Sequence, residues 1–219
     1  MRRVIAIACT SCGRLAFDEV AVVAPDAAGD AAGVTCTTFE FDQQPAGFVI
    51  NDTGGSVEII GGQIRFAIPG TRNNDIDIER ADPRSFVGRS VAIQVVSPSL
   101  TPGASTAFGW HEQTGDRIGV HMEMDGVNLK LNQYSVALDQ YVEYLAKPYD
   151  PIEFAWWRLR DDGGDIRSEV SRDGVTWNKF GVVSGRDLTS MTWDIGMGSY
   201  VSNVAPSETT MDNAIDCDP

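Results

Sequence analysis

Ile152–Phe180 has the sequence IEFAWWRLRDDGGDIRSEVSRDGVTWNKF, and this stretch decides the fold class. It begins with Ile152–Arg160, whose aromatic and β-branched start leads into the apolar–charged alternation of a strand. Asp161–Asp165 then interrupts the alternation with two glycines, which adopt the positive-φ conformations of tight turns without steric cost. Ile166–Ser171 resumes the strand pattern, and Asp173-Gly174 marks a second turn. The stretch therefore predicts two β-strands and the start of a third.

The first of these strands has two different faces. Its alternation places Trp157 and Leu159 toward the core and exposes Trp156, Arg158 and Arg160. Aromatic rings stack on the apolar C–H patches of sugars, and arginine hydrogen-bonds to sugar hydroxyls, so the exposed face is a candidate glycan-binding surface. The alternative is a ladder of cation–π contacts and salt bridges that only stabilises the sheet.

Length and composition indicate a single domain with neither a nucleic-acid-binding nor a membrane-spanning role. A chain of 219 residues is the natural size of one β-sandwich, and an apolar content of 42% is sufficient for a core. The formal charge of −14 disfavours binding to a phosphate backbone, which needs clustered Lys and Arg. No run approaches the ~20 apolar residues of a membrane span.

The N-terminus places charge before apolar residues, as an export signal does. Its apolar run, Val4–Ala8, is shorter than the about 7–15 residues of a signal-peptide core. Ala6–Cys9 resembles the end of a bacterial lipobox, in which Cys9 would carry a lipid anchor. We therefore predict an export-signal-like segment and linker over residues 1–33 and a folded domain over 34–219. The protein is then secreted or a lipoprotein of the cell surface or periplasm. The alternative is an exported or cytosolic protein whose apolar start is incidental.

Gly61-Gly62 predicts a two-residue hairpin turn between two alternating runs. Counting outward from this turn pairs Ile59 with Ile64 and Val57 with Phe66 on an apolar face. The two runs agree in pattern at every pair, which supports this register.

Asp125-Gly126 predicts a second hairpin, with one apolar and one polar face. Counting outward pairs His121 with Lys130 and Glu123 with Asn128 on the polar face, which is a candidate binding surface. The pairs expected on the apolar face are Val120 with Leu131, Met122 with Leu129 and Met124 with Val127. About a dozen such strands and no convincing amphipathic helix predict an all-β sandwich of two antiparallel sheets.

The stretch Ile152–Phe180 also resembles a known family. Concanavalin A-like lectin/glucanase domains, and most closely their DUF1349/laminin-G-like branch, carry an aromatic-x-Arg-x-Arg strand, a glycine turn and a Ser-x-Asp-Gly-x-Thr-Trp hairpin. The matching residues are Trp156, Arg158, Arg160, Ser171, Asp173, Gly174, Thr176 and Trp177. The resemblance implies a jelly-roll sandwich whose concave sheet contains both candidate binding faces. It also implies a Cys36–Cys217 disulfide, because the first and last strands are neighbours in that fold and an exported chain meets an oxidising compartment.

Asp75, Asp77 and Glu79 form an alternating acidic run that resembles the E-x-D-x-x-E strand of family 16 glucanases, which share the concanavalin A-like fold. Alternation puts the three on one strand face, ~7 Å between neighbours. Retaining hydrolysis needs two carboxylates roughly 5–5.5 Å apart. The match is imperfect, because Asp75 stands where the family has a glutamate and one residue instead of two separates the last two acids. The alternative is a set of solvated acids.

Metal binding has little support in the sequence. The two histidines, His111 and His121, lie in no His/Asp/Glu cluster of metal-ligand spacing. Calcium is a further candidate, and its oxygen ligands would come from Asp194, Asp212, Asn213 and Asp216, although no compact loop spaces them. We predict no other cofactor.

These observations together predict an exported, monomeric binding domain that is not an enzyme and that recognises carbohydrate or another cell-envelope polymer. The predicted ligand-binding residues are His121, Glu123, Lys130, Trp156, Arg158 and Arg160. Two alternatives stay open. One is a glycoside hydrolase of the family 16 glucanase type that uses Asp75, Asp77 and Glu79. The other is a structural or adhesion domain without a small ligand.

Overall fold

A computed structural model describes residues 34–70, 74–113, 118–135, 140–201 and 204–219. These residues form fifteen β-strands and no helix. The strands in chain order are β1 (Thr35–Phe39), β2 (Phe48–Asp52), β3 (Ser56–Ile60), β4 (Gln63–Ile68), β5 (Asp75–Arg80), β6 (Ser90–Ser97), β7 (Ala104–Glu112), β8 (Ile118–Met124), β9 (Asn128–Ser135), β10 (Gln140–Pro148), β11 (Trp156–Asp161), β12 (Ile166–Ser171), β13 (Asn178–Val183), β14 (Met191–Ser199) and β15 (Ser207–Asp218).

The strands pair into two antiparallel sheets, which confirms the predicted all-β jelly-roll sandwich. The seven-stranded sheet has the order β10-β9-β8-β7-β14-β5-β2. The eight-stranded sheet has the order β13-β12-β11-β6-β15-β4-β3, and β1 also pairs with β15. On one edge, β15 has two successive partners: its first half pairs with β4 and its second half pairs with β1.

Alternation along the strands builds the core between the two sheets. Trp157 of β11, Trp110 of β7 and Trp193 of β14 are all 0% exposed. The rings of Trp110 and Trp193 pack edge to face with phenylalanines, as in the Phe86–Trp110 pair, whose centroids are 4.6 Å apart. Such pairs bury large apolar areas, so each strand is held with its apolar face inward.

The stretch Ile152–Phe180 forms the predicted strands and turns, with a later start. Residues 151–155 form turns and a bend instead of strand, because the Asp150 carboxylate accepts hydrogen bonds from the backbone N–H groups of Ile152 and Glu153. The second turn folds over β11: a Cβ at Gly174, whose φ is +74°, would lie 2.9 Å from the Trp156 ring. Glycine is therefore required here both for its φ and for the close approach.

The hairpin at Gly61-Gly62 has the predicted register, with Ile59 opposite Ile64 and Val57 opposite Phe66. The second hairpin differs by two residues, since Met124 pairs with Leu129 and not with Val127.

The Asp125 carboxylate causes this shift of register. It accepts hydrogen bonds from the N–H groups of Val127 and Asn128 and so moves the tight turn to Gly126-Val127. The true partner of His121 is therefore Asn132, and that of Glu123 is Lys130. A shift of two residues preserves the faces, so the predicted polar side chains still point outward.

Cys36 of β1 and Cys217 of β15 are bonded, which confirms the predicted disulfide. The two residues face each other in the strand register, with Cα atoms 4.0 Å apart. A disulfide is typical of oxidising compartments and is consistent with an extracellular location.

The predicted export segment and Cys9 lie outside the described residues, so the domain boundary at residue 33 stays a prediction. Among the residues that the structure describes, no helix has the length and apolarity needed to cross a membrane.

Candidate active site

Two neighbouring strands place acidic side chains on the outer face of the seven-stranded sheet. The isoleucines of β5 pack inward, so Asp75, Asp77 and Glu79 point outward, as the sequence predicts. On β14, Asp194 lies directly opposite Glu79. We call Asp77, Glu79 and Asp194 the carboxylate cluster.

Glycines on the adjoining strands form a flat floor for the cluster. Gly196 of β14 is opposite Asp77, and Gly109 of β7 lies between Asp194 and His121. A Cβ at Gly109 would lie 2.3 Å from the His121 ring and 2.8 Å from a carboxylate oxygen of Asp194. The absence of a side chain therefore allows these polar groups to lie across the sheet.

Asn51 of β2 links two members of the cluster. Its amide nitrogen donates to Asp77 Oδ1 at 2.8 Å and to Glu79 Oε2 at 3.3 Å. These two oxygens therefore lie no more than about 6 Å apart. That bound is below the ~6.5 Å minimum of inverting glycosidases and admits the roughly 5–5.5 Å separation of retaining ones.

Neutral donors hold the Glu79 carboxylate in place. Its Oε1 accepts hydrogen bonds from the Thr192 hydroxyl at 2.6 Å and from the Gln113 amide at 3.3 Å. The same Gln113 nitrogen donates to the Thr192 hydroxyl at 2.7 Å. Together with Asn51, these donors orient a carboxylate that projects toward the cavity described below.

Asp77 has an environment that favours its protonated form. Burial, followed by the nearby charges of Asp194 and Glu79, raises the pKa of this carboxyl from 3.8 to about 7, although the hydrogen bond from Asn51 opposes the shift. A carboxylic acid near this pKa can donate and accept a proton at neutral pH, which is the property that general acid–base catalysis needs.

Two histidines extend the cluster across β7 and β8. His111 Nε2 is 2.9 Å from Asp194 Oδ2 and 3.2 Å from His121 Nε2. Burial opposes a charge on His111, but the adjacent Asp194 outweighs burial and raises the pKa of the imidazole. Burial and then the charge of His111 lower the pKa of His121 to about 4, so His121 is neutral. Asp194 shows the complementary effect, because the ion pair with His111 overcomes burial and lowers its pKa.

A cavity of about 170 Å³ opens over the carboxylate cluster. Its lining comprises Asn51, Asp77, Glu79, His111, Glu112, Gln113 and Asp194. Asp75 lies outside this lining, and its pKa is raised first by burial and then by the charge of Glu123. The cavity therefore brings together two of the three acids that the sequence predicts, with Asp194 added from another strand.

Farther along the same face, Glu123 of β8 accepts hydrogen bonds from the Tyr141 hydroxyl and from the Asn132 amide, the latter at 2.8 Å. Lys130 of β9 forms ion pairs with Asp125 at 2.8 Å and with Glu143 at 3.1 Å. This part of the face is polar and half open to solvent, with a tyrosine at its rim.

The structure divides the six predicted ligand-binding residues between the two sheets. His121, Glu123 and Lys130 lie on the seven-stranded sheet, whereas Trp156, Arg158 and Arg160 lie on the eight-stranded one. The expectation of one shared face is corrected, because β11 pairs with β6 and β12 and not with the hairpin of β8 and β9. Whether any of the six binds a ligand stays a prediction.

Sequence reasoning missed His111 and Asn51 and gave Asp194 a different role. Nothing in the spacing of residues 51, 111 and 194 indicates that they meet; only strand pairing across the chain brings them together. The alternation of β14, in which Asp194 interrupts an apolar and glycine-rich strand, was the one available indication.

The predicted calcium ligands do not converge either. Asp194 belongs to the seven-stranded sheet, whereas Asp212, Asn213 and Asp216 lie on β15 in the other sheet, where Asp216 pairs with Arg84 and Arg89. In the described part of the chain, no group of three or more His, Cys, Asp or Glu side chains has the arrangement of a metal site.

No protein-family model and no curated protein sequence matches this chain. Solved structures do match it by fold. A β-1,3-1,4-glucanase (lichenase) derived from a mouse hindgut metagenome has a TM-score of 0.63 at 10% identity, over 83% of this chain and 98% of the other. The catalytic domain of an endo-1,3-β-glucanase (laminarinase) from Thermotoga petrophila has a TM-score of 0.62 at 10% identity, over 83% and 96%.

A carbohydrate-binding type of module also shares the fold. The CBM2 module of the evolved Dit protein of Lactobacillus casei BL23 phage J-1 has a TM-score of 0.60 at 10% identity, over 82% of this chain and 93% of the other. These similarities place the chain in the concanavalin A-like jelly-roll fold. They correct the expectation that the protein is not an enzyme, because glucan hydrolases have the same fold over most of the chain.

Proposed function

We propose that the protein is a retaining glycoside hydrolase that cleaves a neutral β-glucan on the outer face of the seven-stranded sheet. The observation that carries this proposal is the Asp77–Glu79 pair, whose oxygens bound by Asn51 lie no more than about 6 Å apart, which admits a retaining mechanism. The glucan hydrolases that share the fold support the same substrate class.

In the first step, Glu79 attacks the anomeric carbon and forms a covalent glycosyl–enzyme ester. Asp77 simultaneously gives its proton to the glycosidic oxygen, so the leaving chain departs as a neutral alcohol. The raised pKa of Asp77 keeps this proton available near neutral pH, and the donors around Glu79 keep its carboxylate oriented for attack.

In the second step, water hydrolyses the ester. Ester formation removes the negative charge of Glu79, which is one cause of the raised pKa of Asp77, so the pKa of Asp77 falls and its carboxylate remains ionised. It then accepts a proton from water as the oxygen attacks the anomeric carbon and releases Glu79. The two displacements each invert the anomeric carbon, so configuration is retained, and Asp77 and Glu79 return to their starting protonation states.

Asp75 is the less suitable nucleophile, although it holds the corresponding position in the family 16 motif. Its side chain lies outside the cavity lining, and its raised pKa disfavours the ionised form that attack requires. Glu79 lines the cavity, and three hydrogen-bond donors hold its carboxylate in place.

The charge of the face favours a neutral substrate. Asp77 holds its proton and Asp194 is paired with His111, but Glu79 and Glu123 also project from this face and disfavour a polyanion. Tyr141, which is 51% exposed beside Glu123, offers an aromatic surface for sugar stacking. We also propose that the protein is exported, which the disulfide supports. The motif from Trp156 to Trp177 supports a place in the DUF1349/laminin-G-like branch.

The test is hydrolysis of mixed-linkage β-glucan and laminarin by the purified full chain, by Asp77→Asn and Glu79→Gln, and by the control Glu58→Gln. Glu58 is a half-exposed glutamate of the other sheet, paired with Arg65. We expect each site variant to lose at least about a hundredfold in kcat/KM, the lower range of general acid–base catalysis, and the control to match the wild type.

The wild-type kcat/KM should also fall as the pH rises above about 7, because Asp77 loses the proton that it must donate. Absence of hydrolysis by the wild type, or full activity in both site variants, would refute the proposed function.

A further inference from the structure

A second cavity lies on the outer face of the eight-stranded sheet, the opposite side of the sandwich from the carboxylate cluster. Its volume is about 390 Å³, within the range of roughly 300–1,000 Å³ that is typical of small-ligand sites. Side chains of β11 and β12 form its floor, and the turn before β13 forms one wall.

Three arginines of this floor surround one buried carboxylate. Glu169 has a side chain that is 3% exposed and forms its shortest contacts with Arg158, at 2.6 and 2.7 Å. Arg167 Nε is 2.9 Å and Arg160 Nε 3.3 Å from the same carboxylate. We call Arg158, Arg160 and Arg167 the arginine cluster.

The contacts of Arg160 and Arg167 with Glu169 are electrostatic and not aligned as hydrogen bonds; their buried Nε atoms have no hydrogen-bond partner in the described part of the chain. Their only other acidic neighbour among the described residues is Asp162, at 3.5 Å from Arg160 and 3.4 Å from Arg167. Asp162 is 44% exposed, so water weakens both of these contacts. The terminal N–H groups of Arg160 and Arg167 that contact Asp162 are therefore the donors that a ligand can take over.

Arginines outnumber acids in the lining of the cavity, although the chain as a whole carries −14. The cavity lining includes four arginines and three acids, because Arg89 joins the arginine cluster and Asp161 and Asp218 join Glu169. Asp162 and Asp216, just outside the lining, also contact these arginines, so a ligand oxyanion would bind by displacing the exposed Asp162 from Arg160 and Arg167.

An aromatic wall completes the site. The Arg158 guanidinium stacks 4.2 Å from the Trp177 ring centre, and both side chains line the cavity beside the half-exposed Val175. Stacking on Trp177 fixes the Arg158 guanidinium, and the ring and Val175 supply the apolar surface that the C–H groups of a sugar need.

We propose that this cavity binds an oxyanion carried by a sugar, namely the carboxylate of a uronic acid or a sulfate ester. A planar guanidinium matches two oxygens of such a group with two parallel N–H donors, which an ammonium group does not. The acidic face of the seven-stranded sheet repels this same class of ligand, so the two faces of the sandwich recognise different saccharides.

The test is calorimetric binding of D-glucuronate, glucose 6-sulfate and neutral glucose to the full chain and its variants. The two anionic sugars distinguish a carboxylate from a sulfate source, and glucose measures binding that does not need the charge. We expect Arg160→Gln and Arg167→Gln each to weaken binding of the anionic sugar about tenfold or more, as loss of a charged hydrogen bond does.

Asp162→Asn should act in the opposite direction. It removes the competing carboxylate from Arg160 and Arg167 without changing the cavity floor. We therefore expect the anionic sugar to bind severalfold more tightly. The matched control is Arg65→Gln, which removes an arginine from the same sheet outside the cavity and should leave the affinity unchanged. Glu79→Gln should also bind normally, which separates this site from hydrolysis.

The proposal is overturned if neither anionic sugar binds the wild type, if glucose binds as tightly, or if Arg65→Gln weakens binding as much as Arg160→Gln. Should an arginine variant fail to fold, unchanged affinity in Asp162→Asn overturns the proposal on its own.

Discussion

At the scale of single residues, the activity that we propose rests on an acid that its surroundings keep protonated. Asp77 is buried beside Asp194 and Glu79, and Asp194 is in turn kept ionised by His111. The like charges cannot all be accommodated at neutral pH without cost, so one of them retains a proton. A site of this kind lowers the stability of the folded state in return for chemistry.

The loss of folded-state stability that Asp77 causes can be measured with the variant Asp77→Asn. Because the folded state holds the Asp77 proton up to about pH 7 and the unfolded chain releases it near pH 3.8, wild-type stability falls as the pH rises between these values. The uncharged asparagine avoids this loss. We expect the variant to match the wild type near pH 4 and to be more stable at pH 8, as measured by urea denaturation.

His121 has the opposite effect on the pH dependence of stability. Because its pKa is lowered in the folded state, the unfolded chain takes up the proton first as the pH falls, and the stability of the folded state decreases. Both proteins contain His121, so its contribution cancels in the comparison. A variant that is less stable than the wild type at pH 8, or a difference that does not depend on pH, would contradict our description of Asp77.

The adjacent tryptophans of β11 should respond differently to truncation. Trp157 is 0% exposed and donates a hydrogen bond from its indole to the Phe154 carbonyl, whereas Trp156 lies on the outer face under the turn at Gly174. We expect Trp157→Ala to cost about 3–5 kcal/mol of unfolding free energy through cavity formation, and Trp156→Ala distinctly less. Denaturant titration measures both, and equal losses would show that the facing of this strand is wrong.

Single-strand patterns predicted most of these residue positions. Alternation was enough to place Asp75, Asp77 and Glu79 on one face and Trp157 in the core. The ionisation of Asp77 was beyond reach, because it depends on Asp194, a residue 117 positions away in sequence that only the pairing of β5 with β14 brings near.

At the scale of elements, β1 illustrates how a covalent bond holds a marginal strand. It is five residues long and, among the described strands, pairs only with β15, to which the Cys36–Cys217 disulfide ties it. The bond closes a loop with a sequence separation of 181 residues. Loops of this length gain the most in the chain-entropy model of disulfides.

We therefore expect Cys36→Ala/Cys217→Ala to lose about 5 kcal/mol of unfolding free energy at most, with any strain in the native bond reducing the loss. Denaturation of the oxidised wild type, the reduced wild type and the double variant measures this. The reduced protein and the double variant should agree with each other, and a double variant as stable as the oxidised wild type would refute the role assigned to the bond.

The register of a hairpin was predictable only where no side chain of the turn forms hydrogen bonds with the turn backbone. Gly61-Gly62 forms the expected turn, whereas the Asp125 carboxylate captures the next N–H groups and moves its turn by one position along the chain. The predicted polar face survives this error, because the register changed by an even number of residues.

At the scale of the whole molecule, the sandwich separates two kinds of polar surface. The seven-stranded sheet carries the carboxylate cluster, and the eight-stranded sheet carries the arginine cluster. The all-β class and the two-sheet architecture followed from strand patterns and from the family resemblance. The assignment of each strand to a sheet did not, because alternation defines the faces of a strand but not its neighbours.

Proton NMR during the first minutes of hydrolysis shows whether the Asp77–Glu79 pair cleaves a β-glucan with retention of configuration. Double displacement at the anomeric carbon predicts that the new reducing ends appear first as the β-anomer and then equilibrate. Initial appearance of the α-anomer would show single displacement by water and would contradict the account, as would the absence of any new reducing end.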